Sequence, residues 1–225
     1  QTGVPSTTPV VQNFDAMGAT TTLPSNWRMA ANGATPNWST ASGSVTQQAS
    51  SGSPTTGGTY NWGTTGGVDR AVGALTSGGY ASPNNLLGYY RNTSAANITD
   101  LSISYKGERY KVNSAVASVQ FYYSLNGTSW TAVTAGDIAA ASFPTSGTVT
   151  YDFTASTSIA VSGIAISGLT ITPSSDFYLR WNINTNGANS QGIGIDDVSV
   201  TATFAGGGPN LTAGSPTAFG GQCIN

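Results

Sequence analysis

Few residues of this 225-residue chain can do acid–base, nucleophilic or metal chemistry, and two of them are neighbours. Asp and Glu number nine in all, and Asp196 and Asp197 stand side by side in GIGIDDVSVTATF, residues 192–204. Three chemistries compete for such a pair: a catalytic couple, a cation site, or a strand with one carboxylate turned to water. A glycosidase needs two carboxylates facing one another across a cleft, about 5 to 10 Å apart. Successive strand residues point to opposite faces, so Asp196 and Asp197 cannot form that couple with each other. Glu108, Asp69, Asp100, Asp137, Asp152 and Asp176 are other partners, and no spacing nominates one. The chain has no His, which removes the Ser-His-Asp triad, the Cys-His dyad and the His-ligated zinc site together. The single Cys, Cys223, leaves no disulfide and no Cys-based metal site within these residues. The expectation is a protein that is not an enzyme.

A hard cation remains open. Calcium takes six to eight oxygen ligands, many of them backbone carbonyls. The first and last strands of a sandwich can be spatial neighbours, and an ion between them would favour the folded state. The plain alternative is that Asp196 accepts backbone N–H groups while Asp197 is solvated.

The elements that must position these groups are strands. No segment sustains a 3.6-residue apolar period, and Gly, Pro, Thr and Ser punctuate throughout. Ile98, Leu101, Ile103 and Tyr105 follow the pattern of a half-buried strand, and YKGERY reads as a hairpin with Gly107 at its turn, its charged residues a solvated tip. Val119, Phe121 and Tyr123 share one face, with Asn126-Gly127 as a type I′ turn and Trp130 starting the return strand. Further strands are expected at NFDAM, NWRMAA, DRAVGAL, LLGYYRNT, GTVTYDFT, IAVSGIAISGLTI, FYLRWNIN and GIGIDDVSVTATF, with one helical turn at TAGDIAAA. Many short strands separated by turns mean an all-β chain, an antiparallel β-sandwich (jelly roll) with long irregular loops. Residues 32–67 are expected to form the longest such loop, with Trp38, Tyr60 and Trp62 docking it on the sandwich or offering a ligand edge.

Charged residues are only 7% of the chain, against about 25% in an average globular protein. Aromatic residues at 10% supply a packed core instead. The net charge is −2, with no Lys/Arg cluster, so neither nucleic acid nor an anionic membrane surface is an expected partner. No window is apolar enough for a membrane span. An initial Gln followed by TGVPSTTP fits a mature end left by signal-peptide removal, so the expected location is extracellular or at the cell surface. The domain is expected over 1–204, with a linker at 205–210 and a tail or first strand of a further domain at 211–225.

In order along the chain, NFDAM…LPSNW, GVDRAVGALTSG, GYYRNTSAANITDLSISYKGERYKV, VQFYYSLNGTSWTAV and GIGIDDVSVT resemble a jelly-roll β-sandwich module of secreted or cell-surface multidomain proteins of Bacteroidota. The resemblance spans roughly residues 10–204, and LTAGSPTAFGGQCIN resembles the start of an immunoglobulin-like repeat. It implies an unenzymatic module that binds or adheres, joined to downstream domains of the same chain. Related carbohydrate-binding jelly rolls hold a structural calcium through an acid near the first strand and the Asp of the last strand's Ile-Asp step. By position these are Asp15 and Asp196, with Asp15 standing where Glu is common.

The expected function is thus an extracellular binding or adhesion module, carbohydrate-binding and calcium-stabilised, with a glycan or a surface protein as partner. Aromatic rings stack on sugar faces while Asn, Thr and Ser serve the hydroxyls, which nominates Trp38, Trp62, Tyr89 and Tyr90. A structural unit of a surface filament or layer, and an accessory domain of a secreted hydrolase, are the alternatives.

Overall fold

Period-two alternation of apolar and polar residues builds nearly every element of the computed structural model, which describes residues 1–206. Fourteen strands lie among the described residues: β1 Thr2–Val4, β2 Val10–Gln12, β3 Trp27–Ala30, β4 Gln47–Ala49, β5 Gly58–Gly63, β6 Arg70–Leu75, β7 Asn84–Asn92, β8 Ile98–Val112, β9 Ser118–Ser124, β10 Thr131–Ala132, β11 Thr150–Tyr151, β12 Thr157–Ile166, β13 Asp176–Asn184 and β14 Gly192–Phe204. They form two sheets. The first runs β1-β7-β13-β9-β10, with β3 also paired to β7; the second runs β11-β8-β14-β6-β5-β4, with β12 on β8 and β2 on β14. The chain is an all-β sandwich. Pairing is antiparallel except for β1 on β7 and β4 on β5.

Burial fills the space between the sheets. In β13, Phe177, Leu179, Trp181 and Ile183 face inward at every second position, as do Ile193 and Ile195, then Val198, Val200 and Ala202 of β14, the two runs being offset by a bulge after Asp196. Trp27 stacks on Trp181 at 5.6 Å, and Phe121 and Tyr105 close around the same indole. At about 25 cal/mol per Å² of apolar surface removed from water, this aromatic centre and the aliphatic residues around it join the sheets.

Several local expectations are corrected. Gly107 makes no turn: β8 is one continuous strand, with Gly107 opposite Ile195 of β14 and Ile159 of β12. A Cβ there would lie 2.3 Å from Ile138 Cδ1, so glycine serves packing. The supposed solvated tip is also wrong, since Glu108 and Lys111 are buried. The Asn126-Gly127 turn is longer than a two-residue hairpin, because Tyr123 pairs with Thr131 and the Asn126 side chain accepts from the Thr128 and Ser129 amides. Residues 32–67 are not one loop, for they include β4 and β5. NFDAM folds as a 3-10 turn at Asp15–Met17, and TAGDIAAA holds two such turns, Thr134–Gly136 and Ala140–Ser142. The tail expected at 211–225 and most of the linker at 205–210 lie outside the described residues.

β12 contains a bulge between Val161 and Ile164, where Gly163 adopts φ 66° and its amide donates to Ser104 Oγ.

Candidate functional site

Alternation in β7, β13 and β9 places a second set of side chains on the outer face of the first sheet. Registers align them in rows: Arg91 with Asp176, Tyr89 with Tyr178 and Ser124, Leu87 with Arg180 and Tyr122, and Asn85 with Asn182 and Gln120. Arg28 of β3 extends the third row beyond Leu87. Tyr89 and Tyr178 stack at 4.9 Å with rings 10° apart. Trp38 leans on both, at 5.1 and 5.8 Å, with the Arg28 guanidinium 4.6 Å from its ring centre.

Two loops hold Trp38 there. Its amide donates to Gly127 O, and the Trp130 indole N–H donates to Pro36 O. Gly127 has φ 73°, and a Cβ on it would sit 3.1 Å from Trp38 Cβ, so the close approach and the backbone both require glycine. Arg28 Nη1 donates to Trp38 O at 2.7 Å.

The charged groups of this face fall into two kinds. Asp176 accepts from Arg91 Nε and Nη2 at 2.5 and 3.1 Å and from Tyr89 OH at 2.9 Å. The Arg91 hydrogen bonds hold its carboxyl below the usual range. Arg180 has no such partner. Its guanidinium lies 3.8 Å from the Tyr122 ring centre and 5.5 Å from that of Trp130, it is 8% exposed, and burial lowers its pKa. Arg180 Nε, Asn182 Oδ1 and Asn85 Oδ1 are buried without a hydrogen-bond partner.

Of the four aromatic residues nominated from sequence, the structure brings Trp38 and Tyr89 together here and removes the other two. Tyr90 follows Tyr89 on one strand and so points the opposite way; it is 3% exposed and stacks on Phe177 inside the core. Trp62 belongs to the outer face of the second sheet but is fully covered. Tyr60 stacks on it at 4.2 Å and Tyr110 at 5.5 Å, and the segment after β11 closes over it through Phe153. Gly192 and Gly194 make the room: a Cβ on Gly192 would lie 3.0 Å from the Trp62 ring. Tyr178, Arg180, Arg28 and Tyr122 were missed. The signal was available in FYLRWNIN, whose Tyr178, Arg180 and Asn182 alternate with the apolar set.

The acidic residues gather elsewhere. Asp196 is on the outer face of the second sheet, 2% exposed, with Oδ1 lacking any partner. Burial pushes its carboxyl up to about 8, and Asp197, Glu108 and Asp69 add to the rise. The plain expectation that Asp196 is satisfied by amides thus fails at Oδ1. Glu108, on the same face, accepts from Tyr110 OH at 2.6 Å and is also raised by burial. The expected alternation of Asp196 and Asp197 fails, because Asp197 sits at φ 48° in a β14 bulge and pairs, half exposed, at 2.7 Å with Nζ of Lys106, the residue in register with Asp196. Asp15 lies in the turn that follows β2, and Asp15 Oδ1 accepts the Arg70 amide at 3.1 Å. The bulge falls between the β14 residues paired to β6 and those paired to β2, so Asp15 and Asp196 belong to neighbouring elements. Among the described residues no group of three or more His, Cys, Asp or Glu is arranged to hold a metal ion.

No protein-family model and no curated protein matches the sequence. Among solved structures, the chain is similar to the K1 cleaved adhesin domain of Lys-gingipain from Porphyromonas gingivalis W83, at 12% identity and TM-score 0.43 over 87% of this chain and 99% of that one. It is similar to the xylan-binding module CBM15 at 11% identity and TM-score 0.42, over 88% and 99%. It is also similar to TmCBM61, solved with β-1,4-galactotriose, at 9% identity and TM-score 0.37, over 85% and 99%.

Proposed function

We propose that the chain is a non-catalytic extracellular binding module whose first sheet takes a glycan on its outer face. The observation that carries this reading is the Trp38–Tyr89–Tyr178 aromatic group, partly exposed at Trp38 and Tyr89, with the exposed Gln120 on the same face two rows away. Ring faces suit the C–H faces of sugars, and exposed polar side chains on the same face can serve hydroxyls. The acids Glu108 and Asp196, by contrast, are buried beneath the opposite face. Glycan-array binding should fall about tenfold to a hundredfold for Trp38→Ala and Tyr89→Ala, as for anchor residues of an interface. Unchanged binding in the double variant would remove this face from consideration.

Calcium at Asp196 and Asp15 belongs to the same proposal. An orphaned, buried carboxylate oxygen suits a hard cation, with backbone carbonyls completing the ligand set. The ion would neutralise Asp196 and tie β14 to the turn after β2. Calorimetry with calcium and with EDTA tests it: the melting temperature should differ in the native chain and coincide in Asp196→Asn. An EDTA-insensitive native protein with no bound metal rejects the ion.

A further inference from the structure

Charge is distributed unevenly over the two faces. Three of the seven cationic residues, Arg28, Arg91 and Arg180, are strand residues on the outer face of the first sheet. Asp176 is the acidic strand residue there, and Arg91 already grips it with two hydrogen bonds. Arg28 and Arg180 remain, in a chain whose net charge is −2. Register places them on either side of Leu87, so two strand spacings, about 10 Å, separate their backbones. Arg28 donates to the Trp38 and Ser39 carbonyls and packs on the Trp38 ring. Arg180 is clamped between Tyr122 and Trp130 with Nε unsatisfied.

Arg180 is a largely buried residue whose Nε has no hydrogen-bond partner and whose guanidinium faces no carboxylate, an arrangement that costs free energy because a desolvated charge wants a partner. Held between two rings, its planar fork is also pre-organised, and it matches a carboxylate or sulfate better than a neutral hydroxyl. Resting on the glycan reading above, we propose that this face is selective for acidic polysaccharides, with Arg180 and Arg28 receiving the carboxylate of a uronic acid or the sulfate of a sulfated sugar. Trp38 and Tyr89 stack on the ring that carries or adjoins the anionic group. The two arginines lie far enough apart to serve different residues of one chain.

Titration calorimetry with polygalacturonate, a sulfated galactan and an uncharged galactan tests this. At about 0.15 M salt, one or both charged polymers should bind about tenfold or more tightly than the uncharged one, the effect of one charge-assisted contact. Higher salt should narrow the gap. The ratio of charged to uncharged affinity should fall in Arg180→Gln and in Arg28→Gln, and Arg180→Lys should recover part of it. Arg28 is the more exposed of the two, so its variant reads the effect even if Arg180→Gln unfolds. The identity of the preferred polymer tells uronate from sulfate. Equal affinity for all three overturns the selectivity and leaves the glycan reading standing; a preference untouched in folded variants overturns the role of the arginines. Failure to bind any of the three polymers overturns the selectivity, while the glycan-array binding of the Trp38→Ala and Tyr89→Ala variants judges the glycan reading by itself.

Discussion

The same substitution at two tryptophans should give different results. Trp62 is fully buried between parallel rings at 4.2 and 5.5 Å, whereas Trp38 is only partly buried, on the other sheet. A buried Trp removes about 150–250 Å² from water. At about 25 cal/mol per Å² that is about 4–6 kcal/mol, and a compact unfolded chain lowers it by about 10–40%. Stacking on Tyr60 and Tyr110 adds roughly 1 kcal/mol each, while alanine retains part of the area. Trp62→Ala should therefore destabilise by about 4 kcal/mol, within the usual range of about 3–5 for such truncations. For a domain of this size that is a melting-temperature loss of about 8–16 °C. Trp38→Ala, with its ring partly exposed, should cost less by the same arithmetic, about 2–3 kcal/mol, and should lose glycan binding as well. Thermal melts and glycan titrations on both variants decide the matter. A Trp62→Ala protein that melts within a few degrees of the native one, or that stays folded and loses binding as Trp38→Ala does, would refute the assignment of Trp62 to the covered stack.

Gly73→Ala should destabilise by about 3 kcal/mol or prevent folding, since the new Cβ would lie 1.8 Å from the Ile193 carbonyl oxygen; yield and urea midpoint report it. Asp152 is pushed up by burial but held down to about 2 by hydrogen bonds from Ser156 and Thr154. Its folded pKa is below the unfolded value of about 3.9, so its contribution is present above pH 4 and lost as pH falls towards 2. The stability gap between native chain and Asp152→Ala should accordingly close over that window in pH-dependent melts. Lys106→Ala should shift the urea midpoint little, because its pair with Asp197 is exposed and such pairs contribute about 1 kcal/mol or less.

Period-two patterns made β7, β9, β13 and β14 legible, because each has one face in the core. The same rule separates Tyr89 from Tyr90 and picks out Tyr178 and Arg180. Other features depend on what lies opposite in space. Gly107 looks like a turn residue until Ile138 is seen filling the place of its side chain. Trp62 reads as a solvent-facing ring unless Phe153, ninety-one positions away, is known to close over it. The orphaned oxygen of Asp196 is likewise invisible in the sequence, since it depends on which amides β6 and β8 have left to give.

The bulge in β12 has a consequence for behaviour in concentrated solution. Sheet margins with free amides and carbonyls invite strand addition by other copies. The margins formed by β1, β3, β4, β10 and β11 are short, at two to four residues each. β12, at ten residues, is the long one, and its register breaks at Gly163 after Val161. A neighbouring copy thus meets a bent ribbon with no long uninterrupted row of hydrogen-bonding groups. Deleting Gly163 would straighten that ribbon and should make association grow more steeply with concentration than in the native chain, as light scattering on both would record.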